Sequence, residues 1–185
     1  MRNLILCLFL CSGMAIGGEI GGVTLPDTLQ VGNHSLVLNG AGLRKKLFIK
    51  VYAGGLYLQE KASNAETITG ADQAMAIRMH FIYDGVSQDK LIEAWNEGFG
   101  HATNNSPGEL QTHIDAFNAL FTQEAKKNDI YDVSYDPATG ISVSMNGETK
   151  GTVNGGLAFK EAVFSIWLGT VPADKNLKKG MLGGN

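Results

Sequence analysis

The sequence predicts an α+β protein in which a largely antiparallel sheet carries a layer of helices on one face. Two observations predict this class. The β-type segments come first, two amphipathic helical segments follow, a hairpin-rich stretch comes next, and apolar helical segments end the chain. This block order differs from the regular alternation of strands and helices that builds a parallel sheet. A cleft between the sheet and the helices is the natural ligand site of such a fold.

Residues 1–17 have the pattern of a secretory signal peptide. One cation, Arg2, precedes an apolar run of about eleven residues, and small residues follow it. A membrane span needs about twenty apolar residues, so this run is too short to be one. We expect cleavage near Gly17 and Gly18, a periplasmic or secreted location, and a mature domain of residues 18–185 without a transmembrane segment.

Composition narrows the possible partners and cofactors. Both cysteines, Cys7 and Cys11, lie in the expected signal peptide, so the mature domain depends on its hydrophobic core rather than on disulfides. The net charge of −3 argues against a nucleic-acid partner and weakly against an anionic membrane surface. The histidines are scattered and have no ligand spacing, so we expect no metal and no cofactor.

The first half of the sequence predicts most of the sheet. Short strands are expected at 22–25, 28–31 and 35–38, a long central strand at 48–58, and a further strand at 76–83. Between the early and central strands, Gly40-Ala41-Gly42 predicts a tight turn with positive φ. It does not predict a phosphate loop, because the third glycine of the dinucleotide fingerprint is missing and a strand follows instead of a helix.

Helical periodicity and capping residues predict the remaining elements. Ser63 and Glu66 have capping-box spacing, Ser87 is a good N-cap, and Ser106-Pro107 opens a further helix. Three strands are expected at 130–135, 141–145 and 150–153, with Asn146-Gly147 as a two-residue hairpin turn, and two helices at 157–168 and 175–182.

Two motifs resemble the chalcone isomerase family. The first is Gly40-Ala41-Gly42-x-Arg44 followed by the strand at 48–58, and the second is residues 162–169 followed by Val171-Pro172. The pair is most similar to the bacterial chalcone isomerase-like proteins, and the resemblance spans most of residues 22–182. It implies an open-faced β-sandwich. In the plant enzymes of the family the cleft closes a chalcone into a flavanone, and in related plant members it holds a fatty acid.

The resemblance also assigns candidate site residues. The active-site arginine of the family falls on Arg44, the threonine of the next strand on Tyr52, and the late Ser/Thr on Ile166. The active-site tyrosine and asparagine fall near Ser87 and Ala94. Only the arginine is retained. Because cyclisation needs a ketone and a phenolate held in attack geometry, loss of the other polar groups predicts weak or absent isomerase activity.

The main expectation is an exported, non-catalytic binding protein for a fatty acid or a similar amphipathic carboxylate. Arg44 would anchor the carboxylate, Tyr52 would add its O–H, and Ile166 would line the site. One alternative is an isomerase or intramolecular lyase with Arg44 as electrophile and Tyr52 or His80 as acid or base. Another is a structural or partner-binding domain whose cleft is filled by its own aromatic side chains. Arg44 could also be a plain surface cation beside its neighbouring lysines.

Overall fold

The structure is a computed structural model that describes residues 19–184; the expected signal peptide, 1–17, lies outside this range. A two-stranded hairpin precedes a seven-stranded sheet, in which every neighbouring pair of strands is antiparallel and the spatial order follows the chain. The strands are β1 (Glu19–Ile20), β2 (Val23–Thr24), β3 (Thr28–Val31), β4 (His34–Lys46), β5 (Ile49–Leu58), β6 (Met75–Phe81), β7 (Ile130–Asp136), β8 (Gly140–Met145) and β9 (Glu148–Val153).

The helices fall in three places along the chain, two of them between strands of the sheet and the third after β9. They are α1 (Ala65–Gly70), α2 (Gln88–Ala102), α3 (Gln111–Asn118), α4 (Gly156–Leu168) and α5 (Lys175–Met181), with a 3-10 turn at Gly108–Leu110. Helix α4 packs against α1 and α2, and α5 packs along β4. None of the helices within residues 19–184 combines the length and the apolarity that a membrane crossing needs.

The predicted fold class is confirmed. A large hydrophobic core joins one face of the sheet to the helices, because strand residues such as Leu56 and Ile77 pack in one cluster with Trp95 of α2 and Phe159 of α4. The sheet also curls, so that β3 contacts β6 and β7. A second, smaller cluster lies on the opposite face of the sheet. Its buried members are Val31, Leu36, Tyr57, Ala74 and Ala76.

The prediction of a tight turn at Gly40-Ala41-Gly42 is wrong. These residues lie inside β4, paired with β5, and neither glycine has a positive φ. The glycines are required because α5 lies directly on the strand. A Cβ at Gly42 would stand 2.8 Å from the Cα of Leu177. Gly54 on β5 meets the same helix, with Met181 Cε at 2.9 Å from a built Cβ. Close helix approach explains these glycines better than turn geometry does.

The turn between the two long strands lies a few residues later, at Leu47 and Phe48. Leu47 has φ +57°, in the left-handed region that leucine rarely adopts. The sequence gives no glycine or asparagine at this position to indicate a turn. In contrast, the predicted Asn146-Gly147 turn is confirmed, with φ of +53° and +83° at the two residues, as a type I′ hairpin requires.

The helix starts follow the predictions only in part. Ser87 caps α2, as predicted, by accepting a hydrogen bond from the backbone N–H of Lys90 at 3.4 Å. At α1 the cap is Asn64, which accepts from Thr67 N at 2.8 Å, so the capping box of Ser63 and Glu66 is wrong. Asparagine is as good an N-cap as serine, and a cap at Asn64 instead of Ser63 moves the start of α1 by one residue.

Candidate functional site

Arg44 and Tyr52 form a cross-strand pair at one end of the sheet. They are directly opposite each other in the register of β4 and β5, so their side chains leave the same face. Tyr52 is in turn opposite Phe81 on β6, and both rings belong to the core between the sheet and the helices. The structure therefore brings together two of the residues that the sequence analysis singled out.

Tyr52 supplies a buried, neutral hydroxyl. Its side chain is 7% exposed, and the indole Nε1 of Trp167 donates a hydrogen bond to its oxygen at 2.9 Å. Burial raises the pKa of Tyr52 to about 12, against the opposing effects of the Trp167 hydrogen bond and of Arg44. The O–H proton is therefore retained at neutral pH. Within residues 19–184 no side-chain hydrogen bond uses it, so it can serve a ligand.

Arg44 is part of a polar contact with the start of α5. Its side chain is 23% exposed, and its Nη1 lies 3.9 Å from Oδ2 of Asp174. The carboxylate of Asp174 is fixed by other donors: Oδ1 accepts from Asn176 N and Leu177 N, and Oδ2 accepts from Lys45 N at 3.0 Å. At 3.9 Å the ion pair is loose. A guanidinium has five N–H donors, so Arg44 can bind a further anion beside this contact.

Ile166, the third predicted ligand-binding residue, lies elsewhere in the helix layer. It is 2% exposed and packs against Gly98 of α2, where a built Cβ would stand 2.8 Å from Ile166 Cγ2. The next residue, Trp167, is the one that reaches Tyr52. The sequence offered a signal for Trp167, since it belongs to the second family-like motif, but did not separate a site residue from a core aromatic.

His80 lies on the opposite face of the sheet from Tyr52. It pairs with Ala53 on β5 and Ile130 on β7, and alternates with Phe81, which faces the helices. Burial lowers the pKa of His80, and Arg78 lowers it further. The structure does not bring His80 to Arg44.

The two other positions indicated by the family pattern bring no polar group to this site. Ser87 uses its hydroxyl to cap α2. Ala94 lies on the exposed side of the same helix and has no polar side-chain atom. The arrangement at Arg44 and Tyr52 can therefore bind and stabilise an oxyanion, but Ser87 and Ala94 add no further polar group to it.

Aromatic side chains fill the space between the sheet and the helices. The ring of Trp95 lies 5.5 Å from that of Trp167 and 5.1 Å from that of Phe121, centroid to centroid. Tyr52 and Phe81 continue this packing at 5.6 Å. Ring distances of this size are those of ordinary aromatic packing. A ligand tail can therefore enter at Tyr52 only if some of these rings move.

A groove of about 540 Å³ lies on the helix side of the molecule. Its walls come from α1, the ends of α2 and α4, and α5, and they include His101, Val171 and Lys178. Neither Arg44 nor Tyr52 lines it. Within residues 19–184, histidine, aspartate and glutamate side chains nowhere gather in a group of three that could hold a metal ion.

Comparison with known proteins decides the family. The family profile described as chalcone isomerase-like matches residues 17–183, nearly the whole chain. The chain belongs to the chalcone isomerase-like family. Among solved structures, this chalcone isomerase-like protein is similar to a crystal structure titled as the Arabidopsis thaliana fatty-acid binding protein, with a TM-score of 0.74 and 22% identity. The similarity covers 90% of this chain and 95% of the plant chain, and it shows a shared fold. No curated protein matches the chain.

Proposed function

We propose that this chalcone isomerase-like protein is exported and binds a fatty acid or a similar amphipathic carboxylate without transforming it. The observation that carries the proposal is the Arg44–Tyr52 pair. It presents a partly exposed guanidinium next to a buried O–H that stays protonated at neutral pH. Two charged N–H donors and one neutral donor match the two oxygens of a carboxylate head group. The fatty-acid-binding title of the structurally similar plant protein supports the same ligand class.

The tail of the ligand has to displace aromatic side chains. Trp167 is the first obstacle, because it donates a hydrogen bond to the Tyr52 hydroxyl and packs against Trp95 in a tilted arrangement. Burial of a long chain offsets this rearrangement, since each buried methylene contributes about 0.8 kcal/mol. Binding then opens a space that these aromatic side chains fill in the structure. Both tryptophans lie at the point of entry, so their fluorescence reports occupancy directly.

The filled interior favours a second candidate function. A cleft packed with its own aromatic rings is what a structural or partner-binding domain of this fold would have. In that case the Arg44–Asp174 contact only holds α5 on β4. For an isomerase or lyase the arrangement is less favourable, because His80 lies on the other face of the sheet from Arg44 and Tyr52.

We expect Arg44→Ala to weaken fatty-acid binding by about ten- to a hundredfold, which corresponds to loss of a charge-assisted hydrogen-bonded pair. Tyr52→Phe should weaken it by about fivefold, the effect of one neutral hydrogen bond. Binding would be measured by titrating the delipidated protein with an 18-carbon unsaturated fatty acid while following tryptophan fluorescence. Native mass spectrometry of freshly purified protein would show whether a fatty acid co-purifies.

Lys46→Ala is the matched control, because it removes an exposed cation from the same strand and leaves the Arg44–Tyr52 pair intact. Equal binding by the parent and Arg44→Ala would rule out the anchor role. Absence of any fatty-acid response in all variants would favour the partner-binding function. Arg44-dependent turnover of an enone substrate would instead show that the site is catalytic.

A further inference from the structure

The turn between β4 and β5 exposes large apolar side chains to water. Leu47 is 88% exposed, Phe48 is fully exposed at 100%, and Ile49 is 43% exposed. A lone exposed leucine would need no explanation, but three consecutive large apolar residues at the end of a hairpin form a contiguous patch. We call residues 45–50, Lys-Lys-Leu-Phe-Ile-Lys, the hairpin tip.

The hairpin tip is also strongly basic. Lys45, Lys46 and Lys50 are exposed and flank the apolar residues on both strands. The chain as a whole carries a net charge of −3, so this cationic segment is a local feature that the total charge hides. The carboxylate of Asp174 contacts this segment. It already accepts hydrogen bonds from the backbone N–H of Lys45 and from the start of α5.

The backbone holds the hairpin tip in a defined shape. Pairing of β4 with β5 continues to Lys46 opposite Ile49, so only two residues form the turn. Leu47 adopts φ +57° there. Glycine or asparagine would fit this conformation with less strain, and a polar residue would be better hydrated. A leucine at this position is unfavourable for folding on both counts, which indicates that its apolar side chain serves contact with something outside the molecule.

We infer that the hairpin tip docks this protein onto the surface of an anionic phospholipid bilayer. Leu47 and Phe48 enter the boundary between head groups and acyl chains, while the lysines bind lipid phosphates. The long lysine side chains can keep their ammonium groups at the head-group level while their methylenes accompany the apolar residues. One apolar anchor alone gives weak, reversible binding, and the combination with a basic cluster is what makes such docking effective.

A second copy of the chain fits the hairpin tip less well. In a two-fold dimer the same patch is used by both subunits, so the two sets of lysines would face each other. Like charges in contact are unfavourable. A bilayer that contains anionic lipids offers both an apolar layer and the opposite charge.

Docking would also orient the candidate ligand site. Arg44 lies two residues from Lys46 along β4, which is about 7 Å in an extended strand. The Arg44–Tyr52 pair would therefore lie close to the bilayer, where amphipathic carboxylates partition. Docking depends on the hairpin tip alone and does not require the Arg44–Tyr52 pair to bind a fatty acid.

The test is flotation of the purified protein with vesicles of phosphatidylethanolamine and phosphatidylglycerol, compared with vesicles of phosphatidylcholine alone. The parent should float with the anionic vesicles and less so at high salt. Lys45→Gln/Lys46→Gln/Lys50→Gln should weaken binding on the order of a hundredfold at low salt, since each lysine near the surface contributes about a factor of five. Leu47→Asn/Phe48→Ser should weaken it about a hundredfold, roughly tenfold for each apolar side chain.

Matched controls separate the effect of the hairpin tip on binding from effects of total charge and of reduced stability. Lys61→Gln/Lys90→Gln/Lys127→Gln removes the same number of exposed charges outside the tip and should leave flotation unchanged. Leu47→Asn suits the left-handed conformation, so the double variant should unfold at no lower urea concentration than the parent. Tyr52→Phe, which tests ligand binding, should float like the parent, so the two proposals can fail separately.

Phe48→Trp reports depth of insertion. The two native tryptophans are 4% and 1% exposed, so the added indole is the one accessible to a quencher in the membrane. Its fluorescence should shift to shorter wavelength with anionic vesicles and be quenched by lipids brominated on the acyl chain. Failure of the parent to bind these vesicles, or equal binding by the Leu47/Phe48 variant, would overturn the inference. So would a dimer of the parent that the same double variant abolishes, because a second copy would then cover the hairpin tip.

Discussion

Gly40→Ala should lower the free energy of unfolding by about 3 kcal/mol, the upper part of the range for overpacking a closely packed site. The reason is the contact between β4 and α5. A Cβ at Gly40 would overlap the carbonyl oxygen of Gly180 and lie 2.8 Å from the oxygen of Met181 and 2.9 Å from the nitrogen of Gly183. All three are backbone atoms of α5 or of the residues just after it, so this whole segment has to move. Urea unfolding followed by tryptophan fluorescence would measure the loss.

Gly70→Ala is the control for this prediction. Gly70 ends α1 with a helical backbone, and a Cβ there would meet only Glu161 Oε1, at an ordinary 3.8 Å. Alanine should leave stability unchanged or raise it by about 0.5 kcal/mol. If Gly40→Ala unfolds at the same urea concentration as the parent, the close approach of α5 is not a structural requirement, and the explanation of the glycines in β4 has to be abandoned.

Lys160→Met should lower the free energy of unfolding by about 2 to 4 kcal/mol, because it leaves buried carbonyl groups without a donor. Lys160 is fully buried on α4, and its ammonium donates to the carbonyl oxygens of Ile68, Thr69 and Ala71 at 2.7 to 2.8 Å. These three acceptors terminate α1. Methionine keeps the volume and removes the donors. Hydrogen exchange at α1 should rise more than elsewhere. Lys90→Met, at an exposed site, is the control and should change neither the free energy of unfolding nor the hydrogen exchange of α1.

The stabilising effect of Lys160 should depend on pH. Burial lowers the pKa of Lys160 from 10.5 to about 8, against the opposing attraction of Glu161 and of Asp72, whose carboxylate also accepts from the Tyr135 hydroxyl. Between these two pH values the unfolded chain binds the proton more tightly than the folded one, so stability contributed by this group rises with pH. Below about pH 8 the full cost of burying the charge is present.

The measurement is the stability difference between the parent and Lys160→Met at pH 7 and at pH 9.5. This difference should widen at the higher pH by about 1 to 2 kcal/mol, because only the parent has Lys160 and gains stability as it loses its proton. The titration of all groups that both proteins share cancels in the difference. A difference that narrows with rising pH would mean that the three carbonyl groups favour the ammonium form more strongly than burial disfavours it.

Local patterns predicted the elements that depend on local chemistry. The meander from β7 to β9 follows from alternation and from the Asn146-Gly147 turn, and α2 follows from its Ser87 cap and apolar stripe. The glycines of β4 were misassigned because their reason is α5, which lies more than a hundred residues away in sequence. Glycine that permits a turn and glycine that permits close packing have the same appearance in a sequence.

The sequence likewise predicted part of the candidate site. The family pattern assigns Arg44 and Tyr52, and β-strand register then brings them together. Whether Trp167 or Ile166 reaches Tyr52 depends on how α4 is rotated about its axis over the sheet. In the structure Trp167 reaches Tyr52, and Ile166, one residue earlier, packs against α2. Whether aromatic residues line an open cleft or fill it depends on packing of many side chains at once, and a periodic stripe is compatible with both outcomes.

The contact between α5 and β4 also sets an order of events during folding. The amide of Asn39 donates to Met181 O across 142 residues, and Lys45 N donates to Asp174 across 129. Strands β3 to β6 can pair as soon as they are made, because each joins its neighbour in the chain, but the backbone stripe at Gly40 and Gly42 stays uncovered until α5 is available. A nascent chain halted before Lys175 therefore presents an unfinished β4–β5 hairpin to proteases and chaperones. The seven-residue helix α5 completes the first long hairpin of the sheet, so we expect that hairpin to resist degradation only after α5 has been made.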